Sequence, residues 1–193
     1  MDTNKEEYKR LIELKTKGLD EVDSRIALFH YIQNFLYKVG SFKDGLELLK
    51  NGYGDCRHKH TLLFKFFSLL GLRVKMVKIL FDWRDLPLPL EILSLLKESD
   101  TIWGHDALLM EIEGKDVLID ATWDPALKKY GFPVTDKWDG FLSTKPVTAG
   151  KIKILELEDY KKIKPTIKII HSEAERFALS LNEFLDNLRN NIQ

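Results

Sequence analysis

The sequence predicts an α+β fold. Apolar residues recur every three to four positions through the first seventy residues, the period shortens after Gly71, and an amphipathic stretch from Ser172 to Asn190 closes the chain. Tyr8, Leu11, Ile12 and Leu14 mark an opening helix that stops near Gly18, and Val22, Ile26, Phe29, Ile32, Leu36 and Val39 predict a second from about 22 to 39. Ser41, with Asp44 as an approximate capping-box partner, opens a short third helix that ends at Asn51-Gly52. Asp55 is placed to N-cap an apolar helix from Cys56 to Leu70, and Gly71 to stop it. Val74, Met76, Ile79 and Phe81 then read as a strand, and Pro87 and Pro89 lead into a short helix over 91–97. His105–Ile112 and Lys115–Ala121 are two strands joined as a tight hairpin at Glu113-Gly114. Residues 123–150, rich in Pro, Gly and Asp, form a long ordered loop, and the last helix carries Phe177, Leu181, Phe184, Leu185 and Leu188.

These 193 residues suit one domain, 1–193. Thirty basic and thirty acidic side chains cancel, so a global positive field for nucleic acid is missing. The cluster Lys151, Lys153, Lys161, Lys162, Lys164 and Lys168 is interrupted by Glu156, Glu158 and Asp159, and reads as a solvated face. A single cysteine excludes an internal disulfide and a Cys-rich zinc module, and fits a reducing compartment. The polar start Met-Asp-Thr-Asn-Lys-Glu-Glu does not read as a secretory signal, and no apolar run approaches the roughly 18 residues of a membrane span. The expectation is a soluble cytoplasmic protein with no nucleic-acid or membrane partner and no cofactor.

The chemistry centres on Cys56. A thiol in the first turn of a helix feels the positive end of the macrodipole and nearby free amides, which favours the nucleophilic thiolate, and Arg57, His58 and Lys59 add positive charge. A lone intracellular cysteine is more often buried and inert, so the case needs partners. His105 opens a strand and can sit at a sheet rim. A two-residue loop at Glu113-Gly114 pairs Ile112 with Lys115 and Ala107 with Asp120, which puts His105 and Asp120 on one face as diagonal neighbours. A slip of one residue would separate them. Aspartate in that position holds the imidazole and stabilises its charged form.

Gly54-Asp55-Cys56, Leu62-Leu63 and Leu69-Leu70-Gly71-Leu72-Arg73-Val74, followed by His105–Glu111 and then Leu118-Ile-Asp-Ala-Thr-Trp-Asp124, resemble the nucleophile, His and Asp segments of the transglutaminase-like superfamily. Tyr31-Ile-Gln-Asn-Phe-Leu-Tyr37 is similar to its helix before the nucleophile turn, and Gly131-Phe-Pro and Trp138-Asp-Gly match more weakly. The resemblance covers about residues 22–125. It implies a papain-like core of N-terminal helices on a mainly antiparallel sheet, with a Cys56, His105 and Asp120 triad. It also implies thiolate attack on the carbonyl of a protein, peptide or small amide substrate, giving a thioester. The Cys56 amide would contribute to an oxyanion hole, and Tyr53 or Trp103 a further donor or a substrate wall. Three features depart from the pattern: His60 where a small residue is usual, Asp106-Ala107 after the histidine, and the segment 82–104, an insertion with the look of a lid.

Two other readings compete. Cys56, His60 and His105 with a carboxylate would make a metal site, although His58 lies on another helix face and no paired metal spacing exists elsewhere. The same fold can also serve as a non-catalytic binding module. His30 and His171 read as structural or surface residues, and Asp124 as a loop cap.

Overall fold

The computed structural model describes residues 3–41, 43–163 and 171–190. Helix α1 spans Thr3–Thr16 and α2 spans Glu21–Gln33, the latter capped by Asp20, whose carboxylate accepts from Asp23 N–H at 2.8 Å. The second helix is shorter than its apolar stripe predicts. Asn34 ends it, and Leu36–Tyr37 run as β1, parallel to β2 at Tyr53–Gly54. Tertiary bonds override the helical period there. Tyr37 N–H donates to Asp124 Oδ2 at 3.0 Å, its carbonyl accepts from Arg189, and Val39 exchanges two bonds of 2.8 Å with the Asn182 side chain. The helix expected from Ser41 contracts to α3, Glu47–Asn51, where Asp44 rather than Ser41 accepts from the amides of Leu46 and Glu47.

Helix α4, Cys56–Leu69, starts where the sequence places it. Asp55 accepts from Arg57 N–H at 3.0 Å in a capping box with His58, and Gly71 follows the last turn with φ of 83°.

Four strands, β3 (Val74–Asp82), β4 (Ile102–Ile112), β5 (Lys115–Ile119) and β6 (Lys153–Glu156), form an antiparallel sheet in the order β5-β4-β3-β6. Glu113 and Gly114 have φ of 50° and 76°, the two positive values a type I′ turn needs, so Ile112 pairs with Lys115 and Leu108 with Ile119. Strand β6 and the helix after it, α6 (Leu157–Ile163), arise from the stretch that reads as solvated lysines; Lys164 and Lys168 lie outside the described residues. No residue of β6 or α6 is fully buried, so neither element leaves a burial pattern in the sequence.

Both faces of the sheet are covered. On one, Leu62, Leu63, Phe66 and Phe67 of α4 pack with α1 and α2 against Leu108, Met110, Ile112 and Ile119. On the other, Val77, Ile79, Phe81 and Ala107 meet Trp83, Leu86, Ile92 and Trp123, together with Phe177, Leu181 and Leu185. Those last three belong to the closing helix α7, His171–Asn190. A fully buried side chain of this size contributes about 2 kcal/mol, so the second face is a core in its own right. The segment 82–104 is therefore not a lid. Its Trp83, Leu86, Leu88, Ile92 and Leu96 are buried, and its one α-helical turn, α5 (Leu90–Leu93), lies within that core. Among the described residues, no helix is long and apolar enough to cross a membrane.

Candidate active site

The capping of α4 by Asp55 leaves Cys56 as the first helical residue, half-buried, at a cavity of about 250 Å³. Its backbone N–H belongs to the first turn, where no intrahelical acceptor exists. His105 lines the same cavity from β4, with Phe81, Trp83 and Trp103 as aromatic walls.

His105 is 2 % exposed, and its Nε2 lies 3.0 Å from Asp120 Oδ2. The Cys56 thiol, on the same cavity, is near enough for its charge to act on the ring. Burial by itself would lower the imidazole's pKa, but the charges of Asp120 and Cys56 and the Asp120 hydrogen bond outweigh it and raise the ring to about 10. Asp120 lies just past β5, 3 % exposed. Burial would push its carboxyl up; the His105 charge and hydrogen bond hold it well below the usual carboxylate range instead. Cys56, His105 and Asp120 thus come together, and the hairpin register is the one the sequence predicts.

Tyr53 does not join them. It is 42 % exposed, with Lys38 Nζ 5.3 Å from its ring, and it lines a separate cavity with Gly54 and His58. Alternation in β2 turns Gly54 inward and Tyr53 outward. Trp103 is a wall of the Cys56 cavity but not a donor to it, because its indole N–H donates to the Asp100 carbonyl at 2.8 Å.

Of the three basic residues expected around the thiol, Arg57 lines the cavity and feels the Cys56 charge, while His58 and Lys59 do not line it. Arg57 pairs with Asp55 and the Gly40 carbonyl, and His58 serves in the capping box. Lys59 points into the protein, fully buried, and donates to the carbonyls of Gln33, Ala121 and Thr122 at 3.1, 3.3 and 2.8 Å. Asp106, the departure beside His105, forms an ion pair of 2.6 Å with Lys78 across β3 and β4.

Thr122 is the site residue that sequence reasoning missed. Its hydroxyl bonds Asp120 Oδ1 and lies 3.1 Å from His105 Nε2, while its N–H donates to the same carboxylate at 3.1 Å. Its one signal is its place two residues beyond Asp120.

His60 neither crowds the thiol nor stands idle in the core. Fully buried, it sits edge to face with His105, ring centroids 5.5 Å apart, and its Nε2 is 3.5 Å from Asp120 Oδ1. Its Nδ1 bonds the Cys56 carbonyl at 2.9 Å, and its Nε2 accepts from Ala121 N–H at 2.9 Å. A carbonyl only accepts and an amide N–H only donates, so the ring is the Nδ1–H tautomer with its lone pair already engaged. Among the described residues, His60, His105 and Asp120 form the one group whose ligand atoms lie close enough for a metal, within 4.8 Å. His60 has no free lone pair to offer there, which argues against the metal reading.

Burial also gives Lys59 a measurable signature. Desolvation, partly countered by Asp124, lowers its pKa from 10.5 to about 7. Below about 7 both folded and unfolded chains bind this proton; between about 7 and 10.5 only the unfolded chain does, so this group makes stability rise with pH across that window. The whole rise is at most about 5 kcal/mol at 1.36 kcal/mol per pH unit. His105 acts oppositely: its contribution is full below 6.5 and fades as pH climbs through about 10. The expected result is therefore a difference. Urea denaturation across pH should show the stability of the natural protein gaining on that of Lys59→Met between about pH 7 and 10. A gap that does not change with pH would mean that Lys59 is not desolvated in this way.

The chain matches no protein-family model and no curated protein. Three of the solved structures it is similar to give the scale of the likeness. A proposed cysteine protease from Cytophaga hutchinsonii shares 14% identity at a TM-score of 0.46, over 79% of this chain and 47% of that one. A TGase shares 17% at 0.45, over 64% and 32%. A proposed protease from Parabacteroides distasonis ATCC 8503 shares 15% at 0.44, over 63% and 24%. The chain thus spans between about half and a quarter of the length of these structures.

Proposed function

We propose that the protein is a thiol enzyme that attacks amide or peptide carbonyls through Cys56, with His105 as acid and base and Asp120 as its orienting anion. The observation that carries this reading is one buried imidazole, hydrogen-bonded to Asp120, that lines a single cavity with Cys56 at the start of α4. An imidazole raised to about 10 is cationic at neutral pH, the state that stabilises a facing thiolate.

The thiolate adds to the carbonyl carbon, a C–S bond forms, and the π electrons move to oxygen. The Cys56 N–H holds that oxyanion. Tyr37 supplies the second donor in place of Tyr53 and Trp103. It lines the same cavity at 4 % exposure and feels the charge of Cys56. As the C–N bond breaks, His105 gives its proton to the departing amine and a thioester remains. Water or a second amine then attacks, His105 takes its proton, and the acid or the new amide leaves with the thiolate restored. The whole exchange balances without metal or redox partner.

Labelling tests this with the natural protein. A panel of amide and peptide electrophiles, and iodoacetamide across pH, should modify Cys56 selectively, and faster than the same cysteine in urea. Reaction no faster than in the unfolded chain would leave an inert cysteine on a binding fold.

A further inference from the structure

We infer that Lys59 and His60, consecutive on α4, are positioning residues: they clamp the Ala121–Thr122 backbone and so set the thiol of Cys56 against the His105–Asp120 pair. Its mechanistic consequence rests on the reading of Cys56 and His105 above.

Two fully buried side chains of one helix turn hold the loop after Asp120, one at the N–H of Ala121 and the other at the carbonyls of Ala121 and Thr122. His60 accepts the Ala121 N–H, while Lys59 takes the Ala121 and Thr122 carbonyls. The grip immediately follows Asp120, and Thr122 itself bonds both Asp120 and His105. At its other edge the His60 ring holds the carbonyl of Cys56, so a single imidazole bridges the nucleophile's own peptide and the residue after the aspartate. Elsewhere α4 meets the sheet through apolar side chains, whose packing fixes position less sharply than directed bonds do. A second role follows from the tautomer. With its Nε2 lone pair turned to Ala121, His60 stands 3.5 Å from Asp120 Oδ1 as an acceptor, not a proton donor, at that edge. The charged and titratable groups facing this ring are Cys56 on α4, His105 on β4 and Asp120 after β5.

Nitrogen-15 NMR of the histidine-labelled full chain at neutral pH, together with Cys56 alkylation by iodoacetamide, decides the matter. The expected spectrum shows His60 protonated at Nδ1 alone. Its Nε2 signal should be unchanged by added zinc, because the lone pair is engaged. His60→Leu, which loses both bonds, should alkylate about tenfold more slowly or worse, because small displacements of reacting groups are costly. His60→Gln, whose amide oxygen can still accept from Ala121, should recover part of that loss. An Nε2–H or doubly protonated His60, zinc bound through its Nε2, or a folded His60→Leu that alkylates like the natural protein would each overturn the clamp. If His60→Leu does not fold, the tautomer and the His60→Gln rate still decide. Should the natural protein label no faster than its unfolded chain, the thiol-enzyme reading fails, while the spectrum reports on the clamp separately.

Discussion

Cys56→Ala is expected to abolish acyl transfer and hydrolysis, with rates falling by about four orders of magnitude or more. No second cysteine can replace the thiol. The fold should survive, because position 56 is half-buried at the first turn of α4 and alanine is a good helix former. The Asp55 cap does not involve the thiol, and the carbonyl that His60 holds belongs to the backbone. Circular dichroism and the melting temperature should therefore match the natural protein while turnover disappears. Full turnover by the alanine variant would end the nucleophile assignment.

Asp120→Asn should leave a folded protein whose activity drops by about three to four orders of magnitude, the scale of the corresponding change in serine triads. The amide can still accept or donate one bond to His105, and Thr122 can still bond to it. What it cannot do is supply charge. His105 sits in surroundings where burial favours the neutral ring, and Asp120 is the largest influence that opposes this. Its loss should move the alkaline limb of the pH–rate profile down from near 10. An unchanged profile would remove Asp120 from the mechanism, and a merely structural aspartate would lower stability without moving that limb.

Much of this site is legible in the sequence because it is written in local rules. Asp55 before an apolar run and Gly71 after it bound α4 to within a residue, and so put Cys56 at a helix start. Glu113-Gly114 fixes a two-residue turn, and the turn fixes which residues of β4 and β5 share a face. Where the reading fails, a distant residue outbids the local pattern. Leu36 and Val39 keep a helical spacing yet lie in extended chain, because Asp124, Asn182 and Arg189 claim the backbone of Tyr37 and Val39. Residues 82–104 read as an insertion with the look of a lid, yet they form core, because the second face of the sheet has to be covered.

His60 and Lys59 show the limit most clearly. In the sequence they are part of a basic run beside the thiol. In the fold each is fully buried and bound to backbone some sixty residues away. The sequence by itself determined the helix start that presents Cys56 and the hairpin that pairs His105 with Asp120, since caps and tight turns act over a few residues. Only the tertiary structure decided which donor faces the cavity and which cations are consumed inside the protein. Those outcomes depend on which backbone groups burial leaves in need of a partner, and that is settled only when the helix, the sheet and the loop after Asp120 have come together.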